Sequence, residues 1–139
     1  MKVHDAYLYL PDGQPLFPPE ITTGVLYLIR NPLDVVVSLA AYYPASIAET
    51  IQVMASDTFA LCGYPSALKD HLRQRLLSWS GHVHSWVDVK EDFPVHVVRY
   101  EDMSQKPELT FAQVVSFIGL PLDEARLHKA LAFSAFDVV

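Results

Sequence analysis

The chain has 139 residues, of which 51% are hydrophobic and 12% aromatic; this is enough for one domain with a packed core and excludes a disordered chain. A formal charge of −6 argues against a general nucleic-acid or anionic-membrane binder, which would present a basic face. No apolar run approaches a membrane span, the start Met-Lys-Val-His-Asp lacks the apolar core of a signal peptide, and a lone cysteine, Cys62, excludes an internal disulfide or a cysteine-cluster metal site, so a cytoplasmic location is the expectation.

Lys2, Val3 and His4 open the chain. On chemistry alone, a histidine near a terminus is solvated and idle. Asp12-Gly13 signals a turn, and Pro11, Pro15, Pro18 and Pro19 predict an extended loop over residues 11–20. That loop is either a plain connector or one wall of a pocket.

The chain is organised around Val-Leu-Tyr-Leu-Ile-Arg-Asn-Pro-Leu-Asp-Val-Val-Val-Ser, residues 25–38. Residues 25–29 read as a strand buried on both faces. Arg30 follows at its carboxyl end. Asn31 suits an N-cap, Pro32 the first helical position, and Asp34 the first turn, where the dipole favours a carboxylate. Ser38 falls about two turns into the helix, which Pro44 should stop near Tyr43. A cation and a helix start at the end of a parallel strand make a ligand crevice suited to phosphate. The plainer alternative pairs Arg30 with a nearby carboxylate and leaves Ser38 in solvent or as a cap.

Ser46 and Glu49 form a capping box for a second helix running to about Ala60, with Ile47, Ile51, Val53 and Met54 on its apolar side. Gly63, Tyr64 and Pro65 break the chain. Ser66 caps a predicted helix carrying Leu68, Leu72, Leu76 and Leu77, and helical spacing resumes from Trp79 toward Lys90. Trp86 reads as core, and His82 and His84 as structural or surface residues. His71, His82 and His84 lack a convincing metal-ligand spacing. Residues 94–100 read as a second buried strand. Pro107 starts a helix that Gly119 stops, and a last helix follows from about Asp123 through Leu131. Strands separated by helices imply an α/β layout with a parallel sheet.

Five segments arrive in an order that resembles sulfotransferases using 3′-phosphoadenosine 5′-phosphosulfate (PAPS). They are Lys2-x-His4, Arg30-x-Pro32-x-Asp34-x-x-x-Ser38, Ser78-Trp79-x-x-His82-Val83-x-x-Trp86, Tyr100-Glu101-Asp102-Met103, and Phe117-x-Gly119-Leu120-Pro121 with the later Phe133-Ser134-Ala135-Phe136. The resemblance implies a partial P-loop-NTPase-like three-layer fold, with a parallel sheet core flanked by helices, in one domain over residues 1–139. It implies that His4 is the general base, that Lys2 assists at the sulfuryl group, and that Arg30 and Ser38 grip the 3′-phosphate. Trp79, Tyr100, Ser134 and Phe136 would lie at the adenine end, and the acidic pair after Tyr100 would be structural. PAPS is then the co-substrate, adenosine 3′,5′-bisphosphate (PAP) the product, and no metal is required. The acceptor would be a small molecule, carbohydrate or lipid bearing a hydroxyl or amine.

Two parts of the family pattern are missing from these residues: the phosphosulfate-cradling loop with its lysine, and the Gly-rich basic loop that helps hold the 3′-phosphate. The expectation is a truncated domain with impaired turnover, whose bared sheet edge favours a homo-oligomer. The alternative is a non-catalytic nucleotide-binding remnant or an interaction module.

Overall fold

The computed structural model describes residues 1–62, 73–88 and 92–134. These fall into two units. One combines Met1–Thr23 with Pro32–Pro94, and the other combines Gly24–Asn31 with Val95–Val139.

The second unit holds the parallel sheet. Strand β1, Val25–Ile29, pairs with β4, Val95–Arg99, in a register running from Val25 opposite Val95 to Ile29 opposite Arg99. Burial on β1 alternates. Tyr27 is buried, whereas Leu28 is 65% exposed and Leu26 lies at the edge of exposure. The expectation of a strand buried on both faces is therefore corrected: an unbroken apolar run does not report which face is covered. On β4, Val98 is buried and Val97 is exposed.

Helix α4, Tyr100–Gln105, starts where β4 stops, with no apolar periodicity of its own to announce it. Helix α5, Pro107–Phe117, follows with Pro107 at its first position. Thr110 is buried on it and donates its hydroxyl to the Asp102 and Lys106 carbonyls at 3.1 and 2.9 Å. Gly119, at φ +75°, closes α5: its N–H reaches the Ser116 carbonyl and that of Leu120 reaches Val115. This is a Schellman stop, and it needs the left-handed conformation glycine tolerates. Helix α6, Glu124–Phe133, is capped by Asp123, whose Oδ1 accepts from the Arg126 N–H at 3.0 Å.

The first unit contains helices α1 (Pro32–Tyr42), α2 (Ile47–Met54) and α3 (Trp79–Val87), and a short antiparallel pair, β2 (Ala60–Leu61) with β3 (Gln74–Arg75). The capping box of α2 is formed in both directions, Ser46 Oγ accepting from the Glu49 N–H and Glu49 from the Ser46 N–H. The Ser46 hydroxyl, which donates to the Glu49 carboxylate at 2.6 Å, and then the Ser46 N–H hold that carboxylate below its ordinary pKa.

Helix α2 ends at Met54 rather than near Ala60. Ser56 and Thr58 bond to each other and to the local backbone, an alternative to helix that such side chains offer. The residue α2 buries is Thr50, while Ile47, Ile51 and Val53 are exposed, so the expected apolar side does not face inward. Leu76 and Leu77 are also not helical: they follow β3, and Leu77 sits at φ +61° just before the α3 cap. The rest of the helix predicted from Ser66, together with His71 and Phe136, lies outside the described residues.

Residues 8–16 form a small hairpin instead of an extended loop. Leu16 N–H donates to the Leu8 carbonyl, Leu10 N–H to that of Gln14, and Gly13 turns at φ +81°. A short 3₁₀ turn follows at Pro19–Ile21. Ala6, Tyr7, Trp86 and Phe93 are buried together, with Trp86 only 3% exposed. Tyr7 is the hub, its ring 5.5 Å from both Trp86 and Phe93 and 5.9 Å from Tyr9.

Candidate functional site

In the sheet unit, the site grows from the end of the parallel pair. The register puts Ile29 opposite Arg99, so Arg30 and Tyr100 are the next residues along. The Arg30 guanidinium carbon lies 4.4 Å from the centroid of the Tyr100 ring. A planar cation on an aromatic face is attracted by the ring quadrupole and loses little conformational freedom. Arg30 is half-buried, so its charge acts through less solvent than a surface charge would.

Glu101 braces this corner. Its Oε1 accepts the Asn31 N–H at 2.7 Å, and its Oε2 lies 3.8 Å from Arg99 Nε. The Asn31 hydrogen bond, then its own backbone N–H, then the charges of Arg99 and Arg30 hold the carboxyl below the ordinary glutamate range. Glu101 therefore fixes the residue between the end of β1 and the start of α1, a definite structural role for the first member of the acidic pair. Ser134 caps the end of α6 through its backbone N–H, with its side chain exposed.

In the first unit, the stretch bearing Lys2 and His4 lies along β3 and α3. Ala6 N–H donates to the Arg75 carbonyl at 2.8 Å, and Arg75 N–H donates to Asp5 Oδ1 at 2.8 Å. From α3, His82 Nε2–H donates to the His4 carbonyl at 3.1 Å and Trp86 Nε1–H to the Asp5 carbonyl at 3.0 Å. Tyr7 N–H donates to Ser85 Oγ at 3.1 Å, and that hydroxyl donates to the His82 carbonyl at 2.7 Å. The side chains of Lys2 and His4 are exposed. Burial lowers the pKa of His82, opposed by its bond to His4 and the charge of Asp5.

Trp79 is half-buried on the first turn of α3, whose N-cap is Ser78. Ser38 is exposed on α1, and its hydroxyl makes no hydrogen bond among the described residues. Of the residues singled out from sequence, the structure brings Arg30 and Tyr100 into contact. No group of three or more metal-ligating side chains is found among the described residues. None of the helices formed by those residues is long and apolar enough to cross a membrane.

Residues 15–139 match the sulfotransferase domain family. The chain belongs to that family. Arg30, Ser38, Trp79, Tyr100, Ser134 and Phe136 all fall inside the matched stretch, whereas Lys2 and His4 precede it. Among curated relatives, mouse (Mus musculus) Sulfotransferase 2A6 is 31% identical over 115 residues, covering 83% of this chain and 38% of the relative. Rat (Rattus norvegicus) Sulfotransferase 2B1 is 32% identical over 112 residues, covering 81% of this chain and 31% of the relative. The chain therefore spans well under half the length of these sulfotransferases. Mouse sulfotransferase SULT7A1, in a crystal structure complexed with PAP, superposes with a TM-score of 0.67 at 21% identity, covering 94% of this chain and 44% of that one. This likeness shows the fold, an α/β fold of the P-loop-NTPase-like kind.

Proposed function

We propose that this sulfotransferase chain holds the 3′-phosphate and adenine end of PAPS and serves sulfuryl transfer to a hydroxyl or amine of a small molecule, carbohydrate or lipid. Arg30 stacked on Tyr100 at the end of the parallel pair carries this reading. Stacking engages the face of the guanidinium and phosphate binding engages its edge, so one residue can do both. Ser38 adds a hydroxyl to the phosphate, and Trp79, Ser134 and Phe136 complete the base end. That a sulfotransferase of the same fold was crystallised with PAP supports the choice of nucleotide.

In the reaction proposed, the acceptor's oxygen or nitrogen attacks sulfur and a new bond to sulfur forms. The bond between sulfur and the 5′-phosphate oxygen breaks, and its electron pair leaves with PAP. The acceptor's proton passes to the imidazole of His4, while Lys2 balances charge on the moving group. The 139 residues carry no Gly-rich loop with the lysine that would steady the leaving phosphate, so turnover by this chain alone is expected to be slow.

Titration calorimetry with PAP tests the reading. Saturable binding that Arg30→Ala weakens by about a hundredfold is expected, and absence of binding to the unsubstituted chain overturns the reading. Robust PAPS-dependent turnover by the chain alone would overturn the expectation of slow catalysis. A second reading is a non-catalytic nucleotide-binding remnant or interaction module. Saturable PAP binding with no PAPS-dependent turnover above background, in the chain and in His4→Ala alike, would select that reading.

For the sheet, we propose a second copy of the chain as partner. Among the described residues β1 pairs on one edge only, and Leu28 beside that edge is 65% exposed. Sedimentation should show concentration-dependent dimers weakened by Leu28→Lys; a monomer at every concentration would remove the idea.

A further inference from the structure

We infer that His82 is the positioning residue for His4: its imidazole N–H pins the His4 carbonyl and so sets the direction in which the His4 side chain leaves the backbone. This rests on the reading of His4 as the acceptor's base. A base must come within about 3 Å of the proton it removes, and an exposed side chain on a frayed segment cannot hold that distance. The His4 imidazole is exposed, so its placement must come from its backbone.

That backbone is fixed atom by atom. The His4 and Asp5 carbonyls are taken by His82 and Trp86, the Ala6 N–H by Arg75, and the Tyr7 N–H by Ser85. Holding the His4 and Asp5 carbonyls together fixes the two Asp5 torsions that lie between their peptide planes, and the first of those planes carries the His4 Cα. Two of these partners are anchored independently of the contact: Trp86 is buried in the aromatic cluster, and Ser85 is tied to the His82 carbonyl. His82 is the member that acts on the histidine itself.

The chemistry of His82 suits this role. Donation from Nε2 to a carbonyl selects the tautomer with the proton on Nε2. Burial lowers the pKa of the ring, which favours the neutral form. The charged groups facing it from the N-terminal segment are Asp5 and His4. His84, two residues on, is exposed and bonds to Asp88 at 3.3 Å, so it makes a control on the same helix.

The test uses the full chain with isotope-labelled histidine. In the unsubstituted protein, the nitrogen shifts of His82 should report a neutral ring protonated at Nε2; a ring protonated at Nδ1, or rapidly averaging, overturns the proposal whatever the variants do. His82→Leu should shift and broaden the His4 resonance and speed amide exchange at Ala6 and Tyr7 by about tenfold, the effect of losing one hydrogen bond. His82→Gln, whose amide offers a donor to the same carbonyl, should restore both, and His84→Leu should change neither. A His4 resonance unchanged in position and width in His82→Leu overturns the role. None of these readouts requires turnover or PAP binding, so a failed calorimetric titration would sink the proposed function while the role of His82 is still decided.

Discussion

Arg30 and Tyr100 come from different strands and meet because a parallel register of five residue pairs brings the two strand ends level. The cation is thus placed by the sheet, and the ring that steadies it comes from the first residue of α4. If this pair holds a ribose 3′-phosphate, its two members should fail differently. Arg30→Ala should weaken PAP binding by about a hundredfold, the effect of losing a charge-assisted contact of about 2–3 kcal/mol. Arg30→Lys should recover part of this, because a point charge replaces the fork. Tyr100→Leu should cost about three- to tenfold through the lost stacking, and Tyr100→Phe almost nothing. Calorimetry on the four variants checks the order; equal loss from Tyr100→Phe and Arg30→Ala would show that the hydroxyl rather than the ring carries the effect.

Glu101 ties the Asn31 N–H to the start of α4 and is more acidic than an ordinary glutamate. A carboxyl whose pKa falls on folding adds stability above its unfolded value and loses it as pH drops through the folded one. Glu101→Gln should therefore be less stable than the unsubstituted chain at pH 7, and the two should converge as pH falls below the ordinary glutamate range. Urea unfolding at several pH values measures the gap. A gap that is constant with pH would mean the charge is irrelevant and only the acceptor oxygen matters.

The helix ends are the most legible part of the chain. Ser46 with Glu49, Asp123 and Gly119 mark boundaries through local bonds, and those bonds are formed. The parallel pair is legible for the same reason: two apolar runs of strand length, each ending in arginine or its neighbour, sit between helical stretches. The illegible features are set at a distance. Leu28 is apolar and exposed because burial depends on what covers a face, and the run itself carries no record of that. Leu76 and Leu77 fit a helical stripe, yet the Phe59 carbonyl takes both of their N–H groups. His82 reads as a surface or structural histidine because its partner is a backbone carbonyl 78 residues away, and backbone groups leave no signature in a side-chain pattern.

Two tyrosines should resist alkaline titration. Burial, then the charge of Asp92, pushes Tyr7 up to about 12, and burial alone pushes Tyr27 up to about 12. A group whose pKa rises on folding contributes stability that is intact below its unfolded value of 10.0 and fades as pH climbs through the folded one. Ultraviolet titration should show Tyr7 and Tyr27 ionising late, together with loss of structure between pH 10 and about 12. Tyr7→Phe removes the bond to Asp92 at 3.4 Å but keeps the ring contacts, so it should remove one late step. If Tyr7 ionises near its ordinary value of 10.0, the aromatic cluster around it is not formed in solution.

Helix α3 carries the clamp on the N-terminal segment, so its own first turn should matter more than a surface helix start. Ser78 is buried and its Oγ accepts the Gly81 N–H at 3.1 Å. Ser78→Ala should cost about 1 kcal/mol by removing that cap. Gly81→Ala would ordinarily gain up to about 1 kcal/mol inside a helix. At this position an added Cβ would stand 2.9 Å from Ser78 Oγ and 3.4 Å from Leu77 Cβ. Leu77 is already in the left-handed region and has little freedom to retreat, so the hydroxyl must swing away and the cap is lost. Gly81→Ala should then be neutral or destabilising, and combining it with Ser78→Ala should cost less than the sum of the two. Urea melts of the single and double variants give the coupling; strict additivity, or a clear gain from Gly81→Ala, would show that the first turn of α3 is looser than its geometry implies.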